Sequence, residues 1–107
     1  MSVGKEFREV EKPVVEWAEK NKWLTLKINV LGKRGWPDHF FFGRNRVLVM
    51  IEFKAPGHKP GKLQAFVHSW LKALQWPVYT VTSKEQGIDI LKREAELGAQ
   101  AVPRKSA

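Results

Sequence analysis

The side chains whose types and spacing could do chemistry lie in one stretch, residues 35–54. Asp38 follows a proline, and Glu52 and Lys54 stand one residue apart after an aliphatic run. Because side chains alternate along a strand, Glu52 and Lys54 point to the same side. Carboxylates are hard oxygen ligands for Mg²⁺, which polarises a phosphate and lowers the pKa of a bound water. The pattern therefore predicts metal-assisted hydrolysis, with Lys54 orienting the water or neutralising charge on the phosphate.

The same stretch is predicted to form a β-hairpin. Residues 40–42 and 47–51 are runs of β-forming residues, and turn-forming residues 43–46 separate them. Asp38 and Glu52 then lie at the same end of the hairpin. With Arg44 and Asn45 as the turn, the predicted facing pairs are Phe42 with Val47, Asp38 with Ile51, and Pro37 with Glu52.

Each candidate residue also has a simpler interpretation. Glu52 and Lys54 could form a same-face ion pair on an edge strand, which contributes little stability. Asp38 could be a strand-entry residue after proline. Glu11, at the border of the apolar stripe of the first predicted helix, is either a third site carboxylate or an ordinary exposed glutamate. Gln64, at the edge of the second helical stripe, is either a site residue or a solubilising surface residue.

Composition favours a single basic domain. The chain has 107 residues, and its 19 Lys and Arg against 11 Asp and Glu give a net charge of +8. That excess favours a polyanionic partner, most simply nucleic acid, although a basic protein with no such partner is the alternative. The absence of cysteine excludes disulfides and a thiol nucleophile, and it fits a reducing cytoplasm. No apolar run reaches the roughly 20 residues of a membrane span.

Hydrophobic periodicity predicts an α/β domain with the element order α-β-β-β-α-β-α. Pro13 interrupts the first helical pattern, so that helix either begins near Lys12 or kinks at the proline. The first strand alternates apolar and polar residues and is expected to be half-buried. Ser83 and Gln86 resemble a capping box before the last helix. A crossover through the second helix should place the last strand parallel to an earlier one.

The expected bounds follow from the same patterns. The expected helices span about 5–21, about 61–75, and the segment from the Ser83 cap to about 97. The expected strands span 24–30, 40–42, 47–51 and 78–81. Together they predict one domain over residues 1–107, with a core of about 5–97 and a frayed tail beyond Gly98.

These residues resemble the signature of the PD-(D/E)XK nuclease superfamily, through Pro37-Asp38 followed by Glu52-Phe53-Lys54. More narrowly, the chain resembles stand-alone phage and bacterial members of the VRR-NUC family, the virus-type replication-repair nuclease domain. The further features that carry this resemblance are a helical Glu11, Lys27 in the first strand, the Gly35-Trp36-Pro37-Asp38 approach, and Gln64 opening the next helix. The resemblance spans about residues 8–84 and departs from the family pattern at Pro13.

The resemblance implies a restriction-endonuclease-like core, in which a mixed sheet is flanked by helices. It also implies Mg²⁺ or Mn²⁺ as the cofactor, with no organic cofactor, and hydrolysis of a phosphodiester to a 5′-phosphate and a 3′-hydroxyl. The implied metal ligands are Glu11, Asp38, Glu52 and the Phe53 carbonyl. The implied catalytic residues are Glu11, Asp38, Glu52, Lys54 as the catalytic lysine, and Gln64 as support for the site or the nearby phosphate.

Stand-alone members of this kind are implied to be homodimers that cut branched DNA, including four-way junctions, in the cytoplasm of a bacterial or phage-infected cell. A symmetric dimer suits a two-fold junction because it presents two equivalent sites. DNA binding is expected from phosphate contacts around the hairpin, which recognise shape rather than sequence. The expected DNA-contacting residues are Lys27, Lys33, Arg34, His58, Lys59 and Lys62, with Arg44 as a further candidate. The candidate dimer-interface residues are Trp23, Trp36, Trp70 and Trp76.

Three functions therefore compete. The first is a metal-dependent, structure-selective DNA endonuclease that resembles Holliday-junction resolvases and acts in DNA repair. The second is a non-catalytic basic nucleic-acid-binding module on a nuclease fold, which would have no need of Asp38, Glu52 and Lys54 together. The third is a nicking or restriction-type endonuclease, although a chain of 107 residues leaves little room for elements that read base edges.

Overall fold

A computed structural model describes residues 4–28 and 35–101 as one mixed α/β fold. Its helical elements are a π-helical segment, Phe7–Glu11, and the helices α1 (Lys12–Lys20), α2 (Lys62–Ala73) and α3 (Lys84–Ala101). Its strands are β1 (Leu24–Lys27), β2 (His39–Phe42), β3 (Leu48–Phe53) and β4 (Val78–Val81). The sheet order is β1-β2-β3-β4, antiparallel except for the parallel pair β3 and β4. The predicted element order and the parallel placement of the last strand are confirmed.

Two apolar clusters, one on each face of the sheet, stabilise the fold. α1 and α3 cover the first face, where the core contains the fully buried Phe41 and Ile51. α2 covers part of the second face, where Val67 packs in one cluster with Met50 of β3 and Val78 of β4. Within the described ranges, no helix is both long enough and apolar enough to cross a bilayer.

The helical run before β1 accommodates Pro13 through a π-turn. α1 begins at Lys12 with Pro13 in its first turn, but helical structure precedes it without a break, so the missing N–H falls inside a continuous helical run. The π-helical segment leads directly into it, and the Lys12 N–H donates to the Phe7 carbonyl five residues back. A π-turn inserts one extra residue into a helix. The side chains before it are therefore rotated about the helix axis relative to those after it. Glu11, at this junction, is consequently turned inwards and only 5% exposed.

The turn of the β2–β3 hairpin lies one residue later than predicted. It is centred on Asn45 and Arg46, whose φ angles are 61° and 63°. The Val47 N–H donates to the Arg44 carbonyl at 3.2 Å and closes the turn. Two successive positive φ values are typical of a type I′ turn, whose twist matches that of the flanking strands.

The Gly43 N–H also donates to the Val47 carbonyl at 2.8 Å, so the loop contains three residues, 44–46, and not the predicted two. The extra loop residue shifts the register of the hairpin by one residue. The predicted pairs Phe42–Val47, Asp38–Ile51 and Pro37–Glu52 are therefore wrong. The observed pairs are Phe42–Leu48, Phe41–Val49, Phe40–Met50 and His39–Ile51. One residue further along this register, Asp38 faces Glu52.

β1 exposes the apolar side that the sequence predicted to be buried. Leu24 is 67% and Leu26 49% exposed. The polar side of β1 faces α1 instead, because the Thr25 hydroxyl donates to Glu19 at 3.3 Å and the Lys27 ammonium pairs with a carboxylate of the π-helical segment. The predicted strand is confirmed over these residues, but its predicted inward face is wrong. Its predicted continuation beyond residue 28 lies outside the described residues.

α3 is longer than predicted and continues to Ala101 rather than ending near residue 97. Its start agrees in part with the predicted capping box. The Gln86 N–H donates to the Ser83 hydroxyl at 3.2 Å, which is the expected cap. The Gln86 side chain accepts from the Thr82 N–H at 3.0 Å, one residue before the position that a complete capping box requires.

Gly87 allows α3 to approach α1 and β4. A Cβ at Gly87 would lie 2.6 Å from a Val14 methyl group and 3.3 Å from a Val81 methyl group. Val14 is fully buried and stiff about χ1, so it cannot move away without cost. We predict that Gly87→Ala lowers the free energy of unfolding by about 2 kcal/mol, in spite of the better helix propensity of alanine. Urea denaturation measures this change.

The control is the same substitution in a Val14→Ala background, which removes the methyl group that the new Cβ would meet. The cost of Gly87→Ala should fall by at least half there, because the two positions are coupled through direct contact. An equal cost in both backgrounds would show that this contact is not the cause.

Candidate active site

Continuing the β2–β3 register by one residue places Asp38 opposite Glu52 at one end of the sheet. Burial raises the pKa of Glu52, which is 8% exposed, and the Asp38 carboxylate raises it further, to about 7. The pKa remains this high although the Lys54 ammonium and a hydrogen bond from Gln64 act to lower it. Like charges in a partly buried site disfavour full ionisation of both groups. A cation placed between the two carboxylates would relieve this repulsion.

Lys54 and Gln64 complete the polar contacts of Glu52. The Lys54 Nζ lies 3.8 Å from the Glu52 Oε2, and the Lys54 side chain is 23% exposed. Gln64 lies in the first turn of α2, where its Oε1 accepts from the Gly61 N–H at 3.1 Å. With its oxygen held in this way, the Gln64 amide group lies near the Glu52 carboxyl and lowers its pKa. The structure thus brings Asp38, Glu52, Lys54 and Gln64 together at one end of the sheet.

Strand alternation directs the Phe53 carbonyl to the side of β3 away from β4. The Lys54 N–H donates to the Val81 carbonyl of β4 at 2.9 Å, so the preceding residue directs its backbone groups to the β2 side. Continuing the β2–β3 register places Pro37 opposite Phe53, and proline has no N–H to donate. The ladder therefore leaves the Phe53 carbonyl oxygen without a donor from Pro37, at the sheet end that carries Glu52.

Glu11 forms an ion pair on the α1 side of the sheet. The Lys27 Nζ lies 3.1 Å and 3.4 Å from the two Glu11 carboxylate oxygens. Partial burial lowers the pKa of Lys27, but the Glu11 carboxylate, with Asp38 and Glu6 beyond it, outweighs burial and the net shift is upwards. Glu6, and not Glu11, is among the charges that raise the pKa of Glu52. Sequence reasoning did not single out Glu6.

Some of the oxygen atoms of the predicted metal ligands suit a divalent cation. Asp38, Glu52 and the Phe53 carbonyl offer the hard oxygen donors that Mg²⁺ prefers, and Mg²⁺ commonly keeps several waters. Glu11 fits less well, because Lys27 holds both of its oxygens. Over residues 4–28 and 35–101, no three carboxylate or imidazole groups are gathered closely enough to hold a metal ion by themselves. The residues therefore fit a cation held by two carboxylates, one carbonyl and water.

Basic side chains border this end of the sheet. The segment between Lys54 and Gln64 joins β3 to α2, and its basic residues are exposed to solvent. These exposed residues are His58, Lys59 and Lys62. Lys54 precedes the segment and Gln64 follows it, so the segment begins and ends at contacts of Glu52.

The other residues that were predicted to contact DNA differ in their distance from the site. The Lys27 side chain is 58% exposed in spite of its ion pair, so it remains accessible to a ligand. Arg44 lies at the hairpin turn, at the far end of the strands from Asp38, and does not join the site. Lys33 and Arg34 lie outside the described residues.

Two buried imidazoles flank the sheet, and sequence reasoning missed both. His39 is 4% exposed and stacks on Phe41, with ring centroids 4.9 Å apart, and burial lowers its pKa. Burial also lowers the pKa of His68, which is 5% exposed and whose Nδ1 lies 3.5 Å from the Thr80 Oγ1. His68 is buried in spite of its polar type, because the buried stripe of α2 extends over Val67, His68 and Leu71. Thr80 pairs with Glu52 in the parallel ladder, so His68 lies behind the site.

The fold and the site define an α/β protein with two facing carboxylates and a lysine at the end of a mixed sheet. No family model matches the chain. The chain is similar to a protein named "Putative nuclease p44" from Acyrthosiphon pisum secondary endosymbiont phage 1, with 33% identity over 76 residues, which cover 71% of this chain and 82% of the relative. The chain therefore belongs to the family of this phage nuclease. The narrower VRR-NUC assignment stays a prediction.

The raised pKa of Glu52 makes stability depend on pH in the metal-free protein. A carboxyl whose folded pKa lies near 7 favours folding below its unfolded pKa, and this contribution is lost as pH rises through 7. We predict that, in EDTA, Glu52→Gln is more stable than wild type by about 2 kcal/mol at pH 8 and that the difference shrinks towards pH 5. Urea denaturation at several pH values measures the difference.

At pH 8, adding Mg²⁺ should make the wild type more stable than Glu52→Gln, because a cation bound by Glu52 stabilises only the wild type. Glu16→Gln, which changes an exposed glutamate on α1, is the control and should follow the wild-type curve. A Glu52→Gln difference that does not vary between pH 5 and pH 8 would contradict the buried, repelled carboxylate.

Proposed function

We propose that the chain is a metal-dependent DNA endonuclease of the VRR-NUC type that selects branched DNA, as Holliday-junction resolvases do. The observation that carries the proposal is the facing of Asp38 and Glu52 within reach of Lys54 and Gln64. Family membership supports the nuclease part, because the phage relative is named a nuclease. The restriction-endonuclease-like core is part of the same proposal, and the four-stranded mixed sheet with helices on both faces is compatible with it.

In this proposal Asp38, Glu52 and the Phe53 carbonyl hold Mg²⁺ or Mn²⁺. The cation, when bound, supplies polarisation of the scissile phosphate and a water of lowered pKa. The Lys54 ammonium, 3.8 Å from Glu52, orients that water or neutralises charge that develops on the phosphate. Gln64 holds Glu52 in place through its amide.

Atoms balance in a single hydrolytic step. The water oxygen bonds to phosphorus, and the bond between phosphorus and the 3′ oxygen breaks. One water proton is transferred to the leaving 3′ oxygen, and the other is retained by, or lost from, the new 5′-phosphate. The products are a 5′-phosphate and a 3′-hydroxyl.

In this proposal the Glu11–Lys27 pair contributes to binding of the DNA substrate and does not hold the cation. Glu11 holds Lys27 on the α1 side of the sheet end, near enough to Asp38 for that carboxylate to raise the pKa of Lys27. Glu11 is then a positioning residue, and Lys27 contacts the DNA phosphate. Removing Glu11 would leave the cation affinity nearly unchanged.

The DNA surface extends from Lys27 across the site to His58, Lys59 and Lys62. Contacts of this type neutralise phosphates and release counterions, so the affinity falls steeply with salt. They fix the backbone and carry no base readout, which agrees with a substrate chosen by shape. The net charge of +8 adds a long-range attraction for the same ligand.

Cleavage of a labelled four-way junction, compared with a linear duplex of the same arm sequence, tests the function. We expect cuts in the junction with Mg²⁺ or Mn²⁺ and none in EDTA. Equal cutting of the linear duplex would contradict the proposed preference for branched DNA and would still support nuclease activity. Binding without cutting in either metal would instead support the non-catalytic nucleic-acid-binding module.

Lys54→Ala separates chemistry from binding. We predict a loss of cleavage of about 100-fold or more, as for removal of a group that stabilises developing charge, with junction affinity changed less than about threefold. Single-turnover cleavage and gel-shift titration measure the two effects. Lys20→Ala, which removes an exposed lysine at the end of α1, is the control for loss of one positive charge. Equal effects of the two substitutions on cleavage would contradict the role of Lys54.

A further inference from the structure

His68 is a buried imidazole that has no role in the hydrolysis proposed above. It is 5% exposed and lies on the sheet-facing stripe of α2 with Val67 and Leu71. Its Nδ1 is 3.5 Å from the Thr80 Oγ1, the outer limit of a hydrogen bond. In the part of the chain that the structure describes, its Nε2 is buried and has no hydrogen-bond partner. A buried polar atom without a partner destabilises a fold, so packing alone favours an apolar residue at this position.

Two features place His68 against the site. Thr80 pairs with Glu52 in the parallel β3–β4 ladder, so both side chains lie on the second face, where α2 packs. Gln64 lies one helical turn before His68 on the same side of α2, and its amide lies near Glu52. α2 therefore meets two neighbouring residues of the sheet with polar side chains, Gln64 at Glu52 and His68 at Thr80.

Lys54 is a cation on the same face of the sheet. It follows Glu52 by two residues, so its side chain shares a face with Glu52 and Thr80. The rise along a strand and the spacing between strands place its Cα about 8 Å from that of Thr80. Its ammonium is 3.8 Å from the Glu52 carboxylate, which is longer than a hydrogen bond, and its side chain is only 23% exposed. The Lys54 ammonium therefore needs a further acceptor inside the protein.

The neutral imidazole offers one acceptor nitrogen. Burial lowers the pKa of His68, and the ammonium groups of Lys72 and Lys54 lower it further. Lys72, one turn further along α2, is exposed, so water can solvate its ammonium. An ammonium only donates, so the nitrogen that faces it must be the acceptor. If that nitrogen is Nε2, the proton is on Nδ1, which then donates to the Thr80 hydroxyl oxygen.

We propose that His68 is a positioning residue for Lys54, in which the Nε2 of His68 accepts a hydrogen bond from the Lys54 ammonium and holds it beside Glu52. A rotation about the torsions of the lysine side chain would make this contact. Glu52 alone is a poor guide for the ammonium, because the same carboxylate also holds the cation. An acceptor fixed in the second core gives the ammonium one position. The inference rests on the catalytic role proposed for Lys54, but the contact itself can be tested without DNA.

Single-turnover cleavage of the junction by His68→Leu tests the functional part. We expect cleavage slowed by about 10-fold or more, as for loss of an outer partner, with junction affinity changed less than about threefold. The urea midpoint should not fall, because leucine removes an unpartnered polar atom. His68→Gln, whose amide oxygen can replace the acceptor, should recover most of the rate. Leu71→Ala is the control for loosened packing of α2, and it should lower the midpoint without slowing cleavage.

A double variant shows whether His68 acts through Lys54. In the Lys54→Ala background, His68→Leu should cause no further loss of cleavage, because the group that it positions is already absent. An equal loss in both backgrounds would overturn the proposal. Slower cleavage by His68→Leu that is accompanied by a lower urea midpoint would also overturn it, because it would show a structural role.

Nitrogen-15 NMR of the imidazoles tests the contact in the protein without DNA. The chain has three histidines, so the signals that disappear in His68→Leu belong to His68. We expect the tautomer with the proton on Nδ1, and an Nε2 resonance that moves in Lys54→Met. Lys72→Met, which removes the other neighbouring charge, is the matched control and should leave that resonance nearly unchanged.

A proton on Nε2, or a resonance that moves as much in Lys72→Met as in Lys54→Met, would overturn the proposal. Absence of cleavage by the wild type would contradict the proposed function alone, because the NMR signals still decide whether the contact forms.

Discussion

The register of the β2–β3 hairpin is the constraint on which the proposed site depends. Strand side chains alternate with a period of two, so a slip of one residue would send every side chain to the opposite face. In the observed register Asp38 faces Glu52, and Phe41 enters the first core, where it is fully buried. A slip of one residue would remove Phe41 from that core. It would also move the two carboxylates away from each other. The apolar packing of the hairpin therefore enforces the proximity of two like charges.

α2 contributes both to the proposed site and to the second core. Gln64 in its first turn lies near Glu52, and Val67 on its sheet-facing stripe is buried in the second core. Its neighbouring flank exposes apolar side chains, among them Phe66 and Trp70.

Local pattern was enough to predict much of the fold and part of the site. Periodicity predicted the element order and the bounds of β4, because each depends on a few neighbouring residues. The grouping of Asp38, Glu52 and Lys54 followed from the predicted hairpin and from strand alternation, whereas Gln64 joined them only through the family resemblance. The hairpin register did not follow, because a two-residue loop at Arg44–Asn45 and the observed three-residue loop over 44–46 are both plausible from residue type. Only the φ angles in the folded chain separate them.

Other features depend on packing between secondary-structure elements, which hydrophobic periodicity in the sequence does not indicate. Alternation in β1 identified two faces, but α1 determines that the polar one is covered and that Leu24 is exposed. The π-turn before Pro13 sets the facing of Glu11, and a helical wheel of constant period cannot describe it. The wide buried stripe of α2 likewise includes His68, which a polar residue type alone does not suggest.

Mn²⁺ binding measured by isothermal titration calorimetry without DNA tests the central claim, that Asp38 and Glu52 hold the cation, most directly. We predict one site per chain, with the affinity reduced more than about 100-fold in Asp38→Asn, beyond what loss of an outer partner usually costs. Glu11→Gln should bind nearly as well as wild type, because Glu11 is paired with Lys27. Undiminished binding by Asp38→Asn, or an equal loss in Glu11→Gln, would contradict a cation held between the facing carboxylates.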